Sequence, residues 1–219
     1  MPQRRPPRVH PLEDPHPPLL IRLYDSPESG NCYKVRLLLT RLGIPFERIP
    51  LSVVDRSDRE DRIGRAANPA LRVPTIQLDD GRYLAESNAI LWYFGEGTGL
   101  VPGDAYGRAQ VLQWMFFEQY DHEPNLAVAR YWLHVLGAAP EGQSLEAKQE
   151  GSRRALQAME THLAGREYLV GDGITVADFA LYAYTHVAGE GGVSLEPYPA
   201  VRAWLERVAA QPGHITIDD

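Results

Sequence analysis

Residues 19–41 read LLIRLYDSPESGNCYKVRLLLTR. The string changes character twice. Leu19-Leu20-Ile21-Arg22-Leu23-Tyr24 is an apolar run of the length of a buried strand. Asp25 to Asn31 is turn chemistry, with Pro27 and Gly30 set among polar side chains. Val35, Leu38, Leu39 and Leu42 then recur at spacings of three and four, the period of a helix. A strand therefore feeds a polar loop, and the loop opens a helix. A helix N-terminus carries partial positive charge and unpaired N–H groups, so an anion, a thiolate included, is stabilised there. Ser29, Asn31 and Cys32 occupy that spot.

Outward from this stretch the pattern continues. Gly43 suits a helix C-cap and Pro45 blocks continuation. Phe46 to Leu51 alternates as a strand would. Residues 52–67 are strongly charged and read as a short exposed helix or loop, stopped by Asn68-Pro69. Val73 to Leu78 reads as a third strand, Asp79-Asp80-Gly81 as a hairpin turn, and Arg82 to Ala85 as the returning strand. Glu86-Ser87-Asn88 is expected to cap an apolar helix from Ala89 to Gly95. The order β-α-β-α-β-β-α calls for a mixed four-stranded sheet with helices packed on it. Beyond the Gly- and Pro-containing linker 96–104 no strand signal appears. Helical patterns run over 105–136, 144–164, 174–187 and 198–210, with Pro124 expected to kink or break the first near Glu123. The division is thus 19–95, an α/β domain, and 105–219, an all-helical one.

The remaining composition sets bounds. Residues 1–18 hold seven of the 18 prolines and no apolar core of a signal peptide, so they read as an extension and a cytoplasmic location is expected. No apolar run approaches the roughly 18–20 residues of a membrane span, so no membrane association is expected. The net charge of −7 argues against nonspecific nucleic-acid binding. One cysteine permits neither an intrachain disulfide nor a cysteine zinc cluster. Asp121-His122-Glu123 invites a metal reading, but consecutive helical residues point in different directions, so no metal is expected.

Four stretches, in order, resemble the glutathione transferase family. They are Tyr24-Asp25-Ser26-Pro27 through Lys34-Val35-Arg36, Asn68-Pro69 through Arg72-Val73-Pro74-Thr75, Leu84-Ala85-Glu86-Ser87-Asn88-Ala89-Ile90, and Ile174-Thr175-Val176-Ala177-Asp178-Phe179. The resemblance implies a thioredoxin-like N-terminal domain, an all-α C-terminal domain and glutathione as cosubstrate. It implies a small electrophile or disulfide as second substrate, and a homodimer. A cis Val73-Pro74 bond would turn the Val73 backbone toward the cysteinyl unit of glutathione. Glu86 and Ser87 would take the γ-glutamyl end, though a simple helix cap is the plainer reading of the pair. Arg72 is assigned to the glycyl carboxylate or to the surface. Arg130 is assigned to a glutathione carboxylate or the electrophile, with a solvated helix face as the alternative, and Tyr120 to the second-substrate pocket.

The catalytic loop leaves several readings open. Serine-type members place a hydroxyl here, which Ser29 matches. Disulfide-reductase members of the nu class carry a Thr-x-Asn pattern, which Ser29-Gly30-Asn31 followed by Tyr33-Lys34-Val35 resembles, making Asn31 the donor to sulfur. Some members use a loop cysteine, which would be Cys32. A thiol near pKa 8.5 must fall about two units to be largely ionised at neutral pH, or roughly 2.7 kcal/mol of thiolate stabilisation. Thr175 and Asp178 form a capping box with a structural role, and Trp92-Tyr93-Phe94 are expected between the domains. A non-catalytic binding or regulatory module of the same fold is the rival reading. Retention of Ser29, Asn31, Glu86 and Ser87 favours catalysis.

Overall fold

The computed structural model describes residues 20–219; the expectation about the Pro-rich stretch 1–18 lies outside them. Strand β1 (Ile21–Asp25) runs into the loop and then helix α1 (Gly30–Arg41). Next come β2 (Phe46–Pro50), the single turn α2 (Arg59–Arg62), β3 (Thr75–Gln77), β4 (Tyr83–Ala85) and α3 (Ser87–Gly95). The sheet order is β2-β1-β3-β4, with β1 parallel to β2 and antiparallel to β3, and β3 antiparallel to β4. This is the mixed thioredoxin-like sheet the element order requires. The third strand is shorter than its apolar run because Pro74 has no N–H to give to a ladder, and pairing starts at Thr75. The Val73–Pro74 bond is cis.

The rest of the described chain is helical. Helix α4 (Ala105–Phe117) passes through a π-helical turn (Glu118–His122) into α5 (Glu123–Arg130), and a second π turn (Tyr131–Val135) ends the run. Pro124 does not break the helix. It stands where the π turn hands over to α5: the Glu123 N–H bonds back five residues to the Glu118 carbonyl, and the register change is taken up just before the proline. Helices α6 (Leu145–Leu163), α7 (Val176–Thr185) and α8 (Pro199–Ala209) follow. No described helix is long and apolar enough to cross a membrane.

Helix α1 is the hinge of the architecture, since it is buried on nearly all sides. Val35 and Leu39 pack with Ile21, Leu23, Ile76 and Ile90 against the sheet. Tyr33, Leu37 and Leu38 join the large core of the helical half, which includes Trp114, Leu181 and Trp204. Trp92 and Phe94 pack on that core as expected, but Tyr93 is 48% exposed, its ring standing edge-on to Phe94 at 5.0 Å outside the core.

A helix buried all round must pair its polar side chains. Arg36 reaches Asp25 at the end of β1 at 2.8 Å, and Arg48 holds the other oxygen of Asp25 at 2.6 Å. Lys34 meets Glu118 at 2.9 Å. These pairs tie both ends of the loop 25–31 to rigid elements.

Candidate functional site

A cavity of about 310 Å³ opens between the loop that begins α1 and helices α5 and α7. One wall holds Ser29, Asn31, Val73 and three arginines, Arg56, Arg59 and Arg72. The facing wall holds Glu123, Ala127, Val128, Arg130 and Tyr131. Of the residues expected at the site, Ser29, Asn31, Val73, Arg72 and Arg130 line this cavity together. Glu86 and Ser87 stand outside its lining, although Ser87 reaches it through Asn31.

Ser29 is the N-cap of α1, and its Oγ accepts from the Cys32 N–H at 3.3 Å. That bond uses a lone pair and leaves the hydroxyl proton free, so the cap and a donor role coexist. Asn31 donates its backbone N–H to the Tyr184 hydroxyl at 3.2 Å. Gly30 is required between them: a Cβ there would lie 2.6 Å from the Tyr184 ring. Cys32 is fully buried and receives the Ser26 N–H on its sulfur. Burial and nearby Asp25 push its thiol up to about 12. A protonated, inaccessible thiol is no nucleophile, so the cysteine alternative falls away.

The Val73 side of the cavity is basic and open. Neither the N–H nor the C=O of Val73 is hydrogen-bonded to the described residues. Arg59 is 3% exposed and donates to the carbonyls of Leu71 at 2.9 Å and Ser52 at 2.6 Å. Its Nε has no partner, and among the described residues no carboxylate pairs with it. Burial and the nearby Arg56 push its pKa down. Together with the exposed Arg72 this wall favours an anion.

Several expectations need correction. Ser87 is not a cap. It is the first residue of α3, whose cap position is Glu86 at φ +68°, and neither forms a side-chain capping bond. The Ser87 hydroxyl donates instead to Asn31 Oδ1 at 3.2 Å. Arg130 is in the wall but is no solvated helix face: it is 5% exposed, with Nε on Glu190 at 2.6 Å and an Nη on the Glu28 carbonyl. With two directions already used, it supports the loop. Tyr120 is 83% exposed and lies away from the cavity, because the π turn points Glu118 and His122 inward and turns Tyr120 to the opposite side. His122 is buried against Thr185 at 2.8 Å, which separates it from Asp121 and Glu123. Sequence reasoning missed Tyr184, Arg56 and Arg59, and it weighed Glu123 only as a metal ligand. Tyr184 lies on α7, 153 positions from its partner Asn31.

A thioredoxin-like sheet with an open backbone edge before a cis proline, a hydroxyl at a helix N-terminus, and a helical half closing the cavity define the glutathione transferase class. Residues 23–100 match the family model "Glutathione S-transferase, N-terminal domain", and residues 114–212 match "Glutathione S-transferase, C-terminal domain". The chain belongs to the glutathione S-transferase family. It is 32% identical over 203 residues to glutathione S-transferase 3 of Zea mays, covering 88% of this chain and 90% of that protein. It is 28% identical to the disulfide-bond oxidoreductase YfcG of Escherichia coli, covering 88% and 92%. Among solved structures, a glutathione S-transferase from Pseudomonas fluorescens superposes with a TM-score of 0.87 at 42% identity, over 91% of this chain and all of that one.

Proposed function

We propose that this chain is a glutathione-dependent enzyme that binds glutathione in the 310 Å³ cavity and ionises its thiol there. The observation that carries the reading is the convergence of Ser29, Asn31 and the unpaired Val73 backbone on one cavity at the N-terminus of α1. The Val73 N–H and C=O pair with the cysteinyl unit in strand fashion. Arg72, with Arg59 beside it, takes the glycyl carboxylate as a charge-assisted contact. Glu86 and the N-terminus of α3 take the γ-glutamyl end. The thiolate is stabilised by the Ser29 hydroxyl, the Asn31 amide and the positive end of α1.

Two reactions use that thiolate. With an electrophile R–X, a sulfur–carbon bond forms and X⁻ departs. With a disulfide RS–SR, a new sulfur–sulfur bond forms and RS⁻ departs. The Ser-Gly-Asn loop, and the similarity to an E. coli disulfide-bond oxidoreductase, support the second as an activity of this chain. Retention on immobilised glutathione, followed by turnover of a chlorinated aromatic or of hydroxyethyl disulfide, tests the reading. Binding without either turnover would leave a non-catalytic binding protein.

Ser29→Ala is expected to raise the pKa of the bound glutathione thiol by about 1–2 units, since a hydrogen bond to a charged group contributes about 1.5–3 kcal/mol. Asn31→Ala is expected to raise it less. Titration of thiolate absorbance reads both, and unchanged values in both variants would refute the assignments. The protein is read as a homodimer: the exposed aromatics Tyr93, Phe116 and Tyr120 are surface that a second copy would cover. Light scattering should therefore give twice the chain mass of 24.5 kDa; the single-chain mass would refute it.

A further inference from the structure

The Asn31 side chain is held at both ends. The Ser87 hydroxyl donates to Oδ1 at 3.2 Å, and Nδ2 donates to Oε1 of Glu123 at 3.1 Å. An ionised carboxylate only accepts, so the atom facing Glu123 must be the nitrogen. Nδ2 carries two hydrogens, and Glu123 takes one. Among the described residues the second has no partner, and Asn31 lines the cavity. With an apolar side chain at position 123 the amide would be free to turn over. Its oxygen lone pairs would then stand where the N–H had been, facing any bound anion.

We propose that Glu123 is a positioning residue of the sulfur site, acting through Asn31 to keep an amide N–H directed at the bound thiolate. The inference rests on the proposed function and adds to it a residue from the helical half, 92 positions from Asn31. The placement of the carboxylate is otherwise unfavourable. Glu118, Lys34 and Arg72 are the charged groups that act on it, with the Tyr184 hydroxyl nearby. Burial and Glu118 raise its pKa more than Lys34, Asn31 and Arg72 lower it. A carboxyl whose folded pKa lies above its unfolded value lowers stability once the pH has risen through that interval. Its negative charge also opposes a thiolate in the same cavity. A half-buried carboxylate that costs stability and opposes the bound charge, yet holds an active-site amide, has the character of a functional group. Orientation of the amide is what offsets the charge.

Two variants separate orientation from charge. Glu123→Gln and Glu123→Leu both remove the charge, but only glutamine keeps an acceptor for the Asn31 N–H. The pKa of the bound glutathione thiol is expected to be about one unit higher in Glu123→Leu than in Glu123→Gln, a tenfold difference in the ionisation equilibrium. In an Asn31→Ala background that difference is expected to disappear. Should the leucine variant lower the melting temperature, Glu123→Ala serves as the acceptor-free partner in the same comparison. Equal pKa values for the glutamine and acceptor-free variants overturn the inference, as does a difference that survives Asn31→Ala. Failure of the unaltered protein to bind glutathione is a separate result: it overturns the proposed function, and the inference with it.

Discussion

An Asp178→Ala variant is expected to lose about 4 kcal/mol of folding stability and to melt about 8–16 °C lower, taking about 2–4 °C per kcal/mol for a chain of this size. The carboxylate is fully buried beneath α7 and α8. Its Oδ2 accepts from the Thr175 N–H at 2.8 Å and the Thr175 hydroxyl at 3.0 Å, closing the capping box of α7. Its Oδ1 reaches beyond the local motif, accepting from the Leu169 N–H at 3.0 Å and the Trp204 indole at 2.9 Å. A cap alone contributes about 1 kcal/mol. Here alanine would leave three N–H donors buried without a partner, each costing about 1–3 kcal/mol. These costs do not add fully, since water can enter the space left behind. Asparagine is at best a partial rescue: its NH2 group would face the Leu169 and Trp204 N–H donors in one orientation and the Thr175 N–H in the other, where only the Thr175 hydroxyl can turn to accept. Calorimetry of Asp178→Ala and Asp178→Asn checks both points. A loss of 1 kcal/mol or less for alanine would mean that the two long-range bonds contribute little.

The T-x-x-D pattern at Thr175–Asp178 is visible in the sequence because a capping box is closed within three residues. The bonds to Leu169 and Trp204 are not visible, since no local spacing encodes them. The same division runs through the site. The strand, polar loop and helix of residues 21–41 announce themselves through changes of period, and Val73-Pro74 through its motif. Side-chain direction inside the long helical run was not legible. The π turn at Glu118–His122 changes the face that each residue presents, so that Tyr120 points outward, His122 inward, and Glu123 into the cavity. The hydroxyl of Ser87 reads naturally as a cap, yet the positive φ of Glu86 starts the helix at Ser87 itself and frees that hydroxyl for Asn31. Tyr184 and Glu123 reach the loop only because α1 is packed against the helical half, a tertiary fact that a periodic pattern does not carry.

Lys34 is part of the loop motif in sequence, and its structural place makes Lys34→Met the second large effect expected. Lys34 and Glu118 are both 0% exposed and meet at 2.9 Å. Asn88 sits between them, accepting from Lys34 Nζ at 3.3 Å and donating to Glu118 at 2.9 Å and to the Met115 carbonyl at 3.1 Å. Gln119 completes the carboxylate shell at 2.7 Å. Methionine fills much of the same space and removes the charge, which leaves the Glu118 carboxylate uncompensated in the interior. Breaking a buried pair in this way costs about 3–5 kcal/mol, whereas replacing both partners with neutral groups is often close to neutral. The double variant Lys34→Met/Glu118→Gln is therefore expected to recover most of the loss, with a coupling energy above 1 kcal/mol. Denaturant unfolding of the two single variants and the double variant measures it, and additive losses would refute the account. The consequence for function follows from Asn88, which adjoins Ser87. Loosening Asn88 shifts the start of α3, and with it the hydroxyl that holds Asn31. The single variant is expected to bind glutathione more weakly even at temperatures where it remains folded, and the double variant to regain that affinity. Unchanged affinity in a folded Lys34→Met protein would show that the interior pair serves stability alone.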